Sequence, residues 1–438
     1  MSLKTLHVTN AWHAHSGGIR TYYQALLQAA NEHGRQVRLV VPADEDRVEE
    51  IGRWGRIYHV RAPAAPFNPR YRILYPSQFL LPPAPVRTIV CDERPDLVEL
   101  CDKYTLPYLG GLLRMGWLKG AGFRPVVVGL SCERMDENVA AYLTAGAAGR
   151  LFARLYMKWI YFPQFDHHLT VSGHAAAELR EAARGHQVER GVWNCPMGVD
   201  DELFSPARRR TEVRNELVAS TGATVLLLYA GRLDREKNLP LLIDMLERLP
   251  DPRVHLLIAG DGHQREALES DAAHRAPGRV HFLGYVRERH RLADLLANCD
   301  AFVHPNPREP FGIAPLEAMA SELPLVAPRS GGLIVYANDG NAWLSEPAGP
   351  AFAASVHSIL ADADQRTRRV AAALETARRH SWRSAMTQAL RIYDEIHARH
   401  CDSQTSGPIE PLFYSTAGNR FGVEPGALRR WFARTRTE

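Results

Sequence analysis

Twice along this chain, apolar runs of strand length alternate with stretches of helical period, separated by glycine or polar loops. The first run opens with a strand expected over 3–9, a loop holding Gly17-Gly18, and a helix over 19–33. The helix carries Ile19, Tyr22, Tyr23, Leu26, Leu27 and Ala30 on one face. Gly34 stops it, and 37–41 reads as a buried parallel strand ending at Pro42. Strand, glycine loop, helix and strand make a βαβ unit. Further strands are expected over 96–100, 125–130 and 166–172, the last leading into a helix over 175–183. The alternation then restarts, with strands over 225–230, 255–259, 280–283, 301–304 and 324–327. Helices lie between them over 239–249, 266–273 and 289–297, and 310–320 contains a helix start. Helices over 350–360, 364–379 and 382–398 close the pattern. Two such runs imply an α/β protein of two doubly wound, Rossmann-like domains facing each other across a cleft. A length of 438 residues agrees, since one hydrophobic core rarely serves so long a chain. The segment 61–85, rich in Pro and aromatic residues, reads as an irregular excursion of the kind that walls an acceptor site.

Composition excludes several classes. A net charge of +4 is too weak to argue for nucleic acid. The six cysteines form no CxxC pair and no zinc spacing with His, so reduced thiols of a cytoplasmic protein are expected. The first ten residues run straight into a strand, unlike a leader peptide, and no uninterrupted apolar stretch is long enough to span a bilayer. Of the 53 Lys and Arg, only Lys4, Lys103, Lys119, Lys158 and Lys237 are lysines. A lysine inside a chemical motif therefore stands out against an arginine-rich background.

In open α/β sheets, ligands bind beyond the carboxyl ends of the strands, and that rule selects four places. Gly17 and Gly18 let the backbone approach a phosphate or sugar at a helix N-terminus, and equally make a simple tight turn. Arg232 and Lys237, in the loop 230–238, place two cations where a departing diphosphate develops charge, with no metal needed. Glu309 lies in the loop after the strand at 301–304, where it can accept hydrogen bonds from sugar hydroxyls. Gly312, Ile313 and Ala314 open the next helix, and the amides there suit a phosphate. Glu317, one turn in, suits ribose hydroxyls. Tyr285 and Val286 follow the strand at 280–283 and could edge a base, though an ordinary strand-to-helix turn explains them as well.

On these residues the chain resembles the retaining glycosyltransferase family 4, of GT-B fold, over about residues 3–398. The similarity rests on E-x7-E from Glu309 to Glu317 running into EAMAS and Gly331-Gly332, on AGRLDREKN at 230–238, and on MGVDDELFSP at 197–206. It implies a retaining transfer of a sugar from a UDP- or GDP-linked donor to an acceptor hydroxyl, with no metal or other cofactor required. It further implies that Arg232 and Lys237 hold the diphosphate, Glu309 the transferred sugar and Glu317 the ribose, with Gly18 closing on the phosphate. The expected organisation is an acceptor-side domain over 1–203, a donor domain over 204–381, a helix over 382–400 crossing back to the first domain, and a tail over 401–438. Two departures stand out. The family's histidine after the strand at 125–130 is replaced by Ser131 and Cys132, the candidates for the sugar side here. The usual glycine after EAMAS is Glu322. Two DxD-like triplets, at 44–46 and 362–364, are read as chance.

The acceptor stays open among glycan, lipid-linked sugar and small molecule. Two other functions stay open beside sugar transfer: nucleotide-sugar epimerisation, and a binding module without turnover, which the missing histidine would favour. The segment 148–162 mixes apolar residues with Arg150, Arg154 and Lys158. It reads first as a core helix with a basic edge, and second as a surface helix resting on the inner face of an anionic membrane. The basic aromatic stretch 427–434 admits a similar membrane or partner contact, or a loose end.

Overall fold

The computed structural model describes residues 3–13, 17–65, 68–118, 123–142, 146–186, 191–195 and 197–404. The first run supplies β1 (Thr5–Thr9), β2 (Val37–Ala43), β3 (Arg47–Ile51) and β4 (Gly55–Arg61). After a short ribbon of β5 (Ala64–Ala65) and β6 (Asn68–Arg72) come β7 (Leu97–Cys101), β8 (Val126–Ser131), β9 (His167–Thr170) and β10 (Val192–Asn194). Among the described residues these make an eight-stranded sheet in the order β10-β9-β8-β7-β1-β2-β4-β3. Only β3 runs antiparallel, at the edge. The second run gives β11 (Val225–Ala230), β12 (Val254–Ala259), β13 (Val280–Gly284), β14 (Ala301–Val303), β15 (Leu325–Pro328) and β16 (Trp343–Ser345). These form a six-stranded, fully parallel sheet in the order β13-β12-β11-β14-β15-β16. In both sheets the chain winds outward one way from the first strand and then outward the other way, the order of a doubly wound fold.

Several elements lie outside the sequence expectation. β3 carries RVEEI, too charged to read as a strand, yet charge is how an edge strand avoids pairing with another chain. The helix Thr211–Thr221 hides in Arg-rich sequence because it buries only Val213 and Leu217. The excursion 61–85 is not wholly irregular: it holds the ribbon and a 3-10 turn at Pro76–Gln78. The last helix runs further than expected, Trp382–Gln404, and so takes up the start of the tail. The stretch 427–434 lies outside the described residues. Of the DxD-like triplets, Asp46 accepts from the Arg61 amide and Asp362 caps the helix Ala363–Arg379, ordinary turn and cap roles. Glu322 holds φ +54°, the left-handed region that favours glycine, while Arg209 binds its carbonyl and its carboxyl.

The chain crosses between the sheets twice, side by side. Val199 donates to the His380 carbonyl and accepts from the Trp382 amide, both at 2.9 Å. The last helix then returns to the first sheet. There the in-register pair His7 and Glu99, on β1 and β7, is fully buried, with Nδ1 3.0 Å from Oε1. Glu99 also accepts from Tyr23 of the helix Gly18–Glu32 at 3.0 Å and from Tyr393 of the last helix at 2.6 Å. A buried carboxyl stripped of one donor loses about 1–3 kcal/mol. Tyr393→Phe should therefore lower the thermal midpoint, as followed by circular dichroism. An unchanged midpoint would show that the helix docks without help from this hydroxyl.

Candidate functional site

In the second sheet the strand order reverses between β11 and β14, and the loops after these two strands open at the same end. The loop after β11 folds into a 3-10 turn at Arg235–Lys237. It closes on Asn238 at φ +56°, a conformation Asn tolerates better than most residues. Asn238 Nδ2 donates to the Pro305 carbonyl at 3.2 Å, tying this loop to the one after β14. That tie sets Lys237 Nζ 2.8 Å from Glu309 Oε2, with both side chains largely buried. Asn306 Nδ2 donates to the same oxygen at 3.0 Å, and His304 Nε2 lies 3.5 Å from it. Burial alone would push the Glu309 carboxyl up, but Lys237 and His304 hold it well below the usual carboxylate range. An ionised Glu309 paired with a lysine can accept from hydroxyls while leaving an ammonium close by for an anion.

Arg232 is half-exposed, and its guanidinium bonds Asp234 at 2.7 Å and Glu236 at 2.8 Å. A diphosphate must compete with two carboxyls for it. Tyr285 and Val286 follow β13 at the same end of the sheet, two strands out from β11. Tyr285 is exposed and Val286 half-buried.

The helix Ile313–Ala320 begins at Gly312, whose φ of +89° needs glycine. Tyr336 Oη donates to the Gly312 carbonyl at 2.5 Å, fixing the turn. Gly18 of the first domain faces this helix start. A Cβ added there would come within 2.8 Å of Ile313 Cδ1 and 3.5 Å of Met197 Cε. The two glycine-bearing helix starts, one from each domain, thus meet across the cleft. Gly17 is the N-terminal residue flanking the first of them and is exposed.

Glu317 lies one turn into its helix and is buried. Burial, against the pull of Arg289 and with a further push from Asp200, lifts its carboxyl to about 7. Arg289 Nη2 stands 3.5 Å from Glu317 Oε1, and Nη1 is 3.5 Å from Thr21 Oγ1 across the cleft. Arg289 is thus a bridge between the domains beside the candidate ribose carboxyl. Sequence reasoning placed it only in a helix. The sole signal available was its position at a helix start after β13, weak in a chain so rich in arginine. His304 and Asn306 were missed likewise, one as the end of a strand and the other as loop.

The other sugar-side candidates sit differently. Ser131 ends β8 fully buried, its hydroxyl donating to the Glu133 carbonyl at 3.3 Å. Cys132 is hydrogen-bonded with Cys101, and this bond, with burial, pushes its thiol well above the ordinary value. It is a neutral thiol rather than a nucleophile. Among the described residues, no group of three or more His, Cys, Asp or Glu could hold a metal ion.

The sequence profile of the Glycosyl transferases group 1 matches residues 210–376, and that of the Glycosyl transferase 4-like domain matches residues 17–192. The chain is 31% identical over 377 residues to a GDP-mannose-dependent alpha-(1-6)-phosphatidylinositol dimannoside mannosyltransferase of Mycobacterium tuberculosis, covering 84% of this chain and 91% of that one. It is 28% identical over 405 residues to a D-inositol 3-phosphate glycosyltransferase of Xylanimonas cellulosilytica, covering 88% and 93%. Among solved structures, sucrose-phosphate synthase from Thermosynechococcus elongatus superposes with a TM-score of 0.71 at 20% identity, over 90% of this chain and all of that one. Each profile falls on one of the two doubly wound sheets, and the mannosyltransferase similarity runs through both. The chain therefore belongs to the group 1 glycosyl transferases of family 4 type, with the GT-B fold.

Proposed function

We propose that this enzyme transfers mannose from GDP-mannose to a hydroxyl of a glycolipid acceptor, with retention of anomeric configuration. The observation that carries the donor half is the buried Lys237–Glu309 pair at the strand-order reversal, beside the helix start that meets Gly18. Lys237 and Arg232 neutralise the diphosphate as its bond to the sugar breaks. Glu309, held ionised, orients the transferred sugar. The amides at Ile313 and Ala314 seat a phosphate, Glu317 takes the ribose hydroxyls, and Tyr285 and Val286 edge the base. The first domain, residues 1–203, receives the acceptor, and residues 204–381 hold the donor. Mannose, guanosine and a lipid acceptor are supported by the mannosyltransferase similarity along both domains.

The test is a thermal-shift and calorimetry screen with GDP, UDP, ADP and their sugar adducts, followed by product analysis with the donor that binds. GDP-mannose should bind tightly and yield an α-linked mannoside. Tight binding of UDP with none of GDP would replace the donor. Binding of none would remove the donor site from this cleft.

A further inference from the structure

The helix Gly146–Tyr156 and the π-turn Met157–Tyr161 that continues it have three faces rather than two. One is core: Ala153, Met157 and Tyr161 are buried at every fourth position. A second is apolar yet faces out. Leu151, Phe152, Leu155, Trp159 and Ile160 are each between 39% and 58% exposed. Among the described residues, no other ten-residue stretch exposes so many large apolar side chains. The third is a row of cations at every fourth position: Arg150, Arg154 and Lys158. Lys158 Nζ lies 5.2 Å from the Trp159 ring centroid, and Arg154 Nε is 3.7 Å from Glu181 Oε1, the one carboxyl paired with the row among the described residues. The core-helix reading of 148–162 therefore accounts for only one of the faces. Water gains nothing from the outer strip, and a contiguous apolar patch of this kind marks a surface that something covers.

The geometry points to an anionic lipid bilayer as the covering partner. Leu, Phe and Trp on one face with Lys and Arg beside them is the pattern of a helix lying in the interface plane. Its apolar side enters the acyl boundary by about 5–10 Å and its cations meet anionic headgroups. Trp159, an amphipathic ring stacked under Lys158, suits headgroup depth. A second copy of this chain is the poorer occupant, because a face-to-face pair would set the same cation row against itself.

The strip also adjoins the acceptor mouth of the first sheet. Tyr156 donates to the carbonyl of Lys103, which follows β7, at 2.7 Å, and is hydrogen-bonded with Tyr108. Tyr104 and Tyr108, both exposed, extend the aromatic surface toward the carboxyl ends of the strands. A bilayer held on the strip would present lipid headgroups at that mouth. Among the described residues, no helix is long and apolar enough to cross a membrane, so the contact is peripheral. The surface is independent of the donor reading, and its test measures binding rather than turnover.

The full chain is sedimented with vesicles of phosphatidylglycerol and phosphatidylcholine in equal parts, and with phosphatidylcholine alone. It should bind the mixed vesicles, weaken with added salt, and ignore phosphatidylcholine. Arg150→Ala and Arg154→Ala, at exposed positions that threaten no packing, should each cost about fivefold in affinity. Phe152→Glu with Leu155→Glu should abolish binding while the circular dichroism spectrum and the thermal midpoint stay the same. Three results would overturn the proposal: equal binding to both vesicle types, undiminished binding of the double variant, or a dimer in light scattering that the double variant dissociates.

Discussion

Lys237→Ala should cut turnover by about two to three orders of magnitude, the scale for removing one group that stabilises charge developing in the transition state. The site explains why the loss is that large. Lys237 stands with Arg232 and Arg235 in the loop after β11, and Arg232 is already bonded to Asp234 and Glu236. Lys237 has a single carboxyl partner among the described residues and is largely buried, where little water screens its charge. Its removal also acts through Glu309. Without Lys237 that carboxyl loses the foremost of the groups holding it down and shifts upward against what His304 still contributes.

Breaking the pair leaves a buried carboxylate without its main partner, at a cost in stability of about 3–5 kcal/mol. A control separates this from chemistry. Lys237→Ala combined with Glu309→Gln should recover the thermal midpoint, because no unpaired charge remains, while turnover stays low. Near-normal turnover in Lys237→Ala would remove the lysine from the reaction, and recovery of turnover in the double variant would make its role structural.

How far the sequence carried this site can be judged residue by residue. The β11 and β14 loops were legible because apolar strands of parallel-sheet type end abruptly in charged motifs, and chain order alone places those motifs at one sheet edge. The pairing of Lys237 with Glu309 was not legible. It depends on Asn238 reaching the Pro305 carbonyl, a contact between loops 67 residues apart. The meeting of Gly18 with Ile313 depends on how the two domains face each other, which no local pattern encodes. Arg289 was invisible for a third reason. Its value lies in reaching both Glu317 and Thr21, and nothing at 289 itself differs from the other arginines. The outward apolar strip at 151–160 stood only as a second reading because helical periodicity identifies apolar faces but not which of them finds a partner in the fold.

Glu317→Gln should weaken binding of the intact nucleotide sugar by about tenfold to a hundredfold, the worth of hydrogen bonds to a charged acceptor. It should also change how binding depends on pH. In the unliganded protein burial lifts the Glu317 carboxyl to about 7 against Arg289, so the group titrates near neutrality. Ribose hydroxyls are donors, and the ionised carboxyl accepts both of them better than the protonated one does. Affinity should therefore fall as pH drops below about 7, by up to tenfold per pH unit, and the Gln variant should lose this dependence. The intact nucleotide sugar is the ligand of choice because its diphosphate has no group titrating in this window. Stability moves in the opposite direction. A folded value of about 7 against an ordinary 4.5 means the native chain keeps a proton that the unfolded chain has lost between those limits. The contribution of this group to stability is fully present below about 4.5 and is lost as pH rises to about 7. Wild type should thus lose stability relative to Glu317→Gln across that window while gaining affinity for its donor. A wild-type affinity that is flat between these limits would remove Glu317 from the ribose. A pH dependence of affinity unchanged in Glu317→Gln would assign the titration to another group in the cleft.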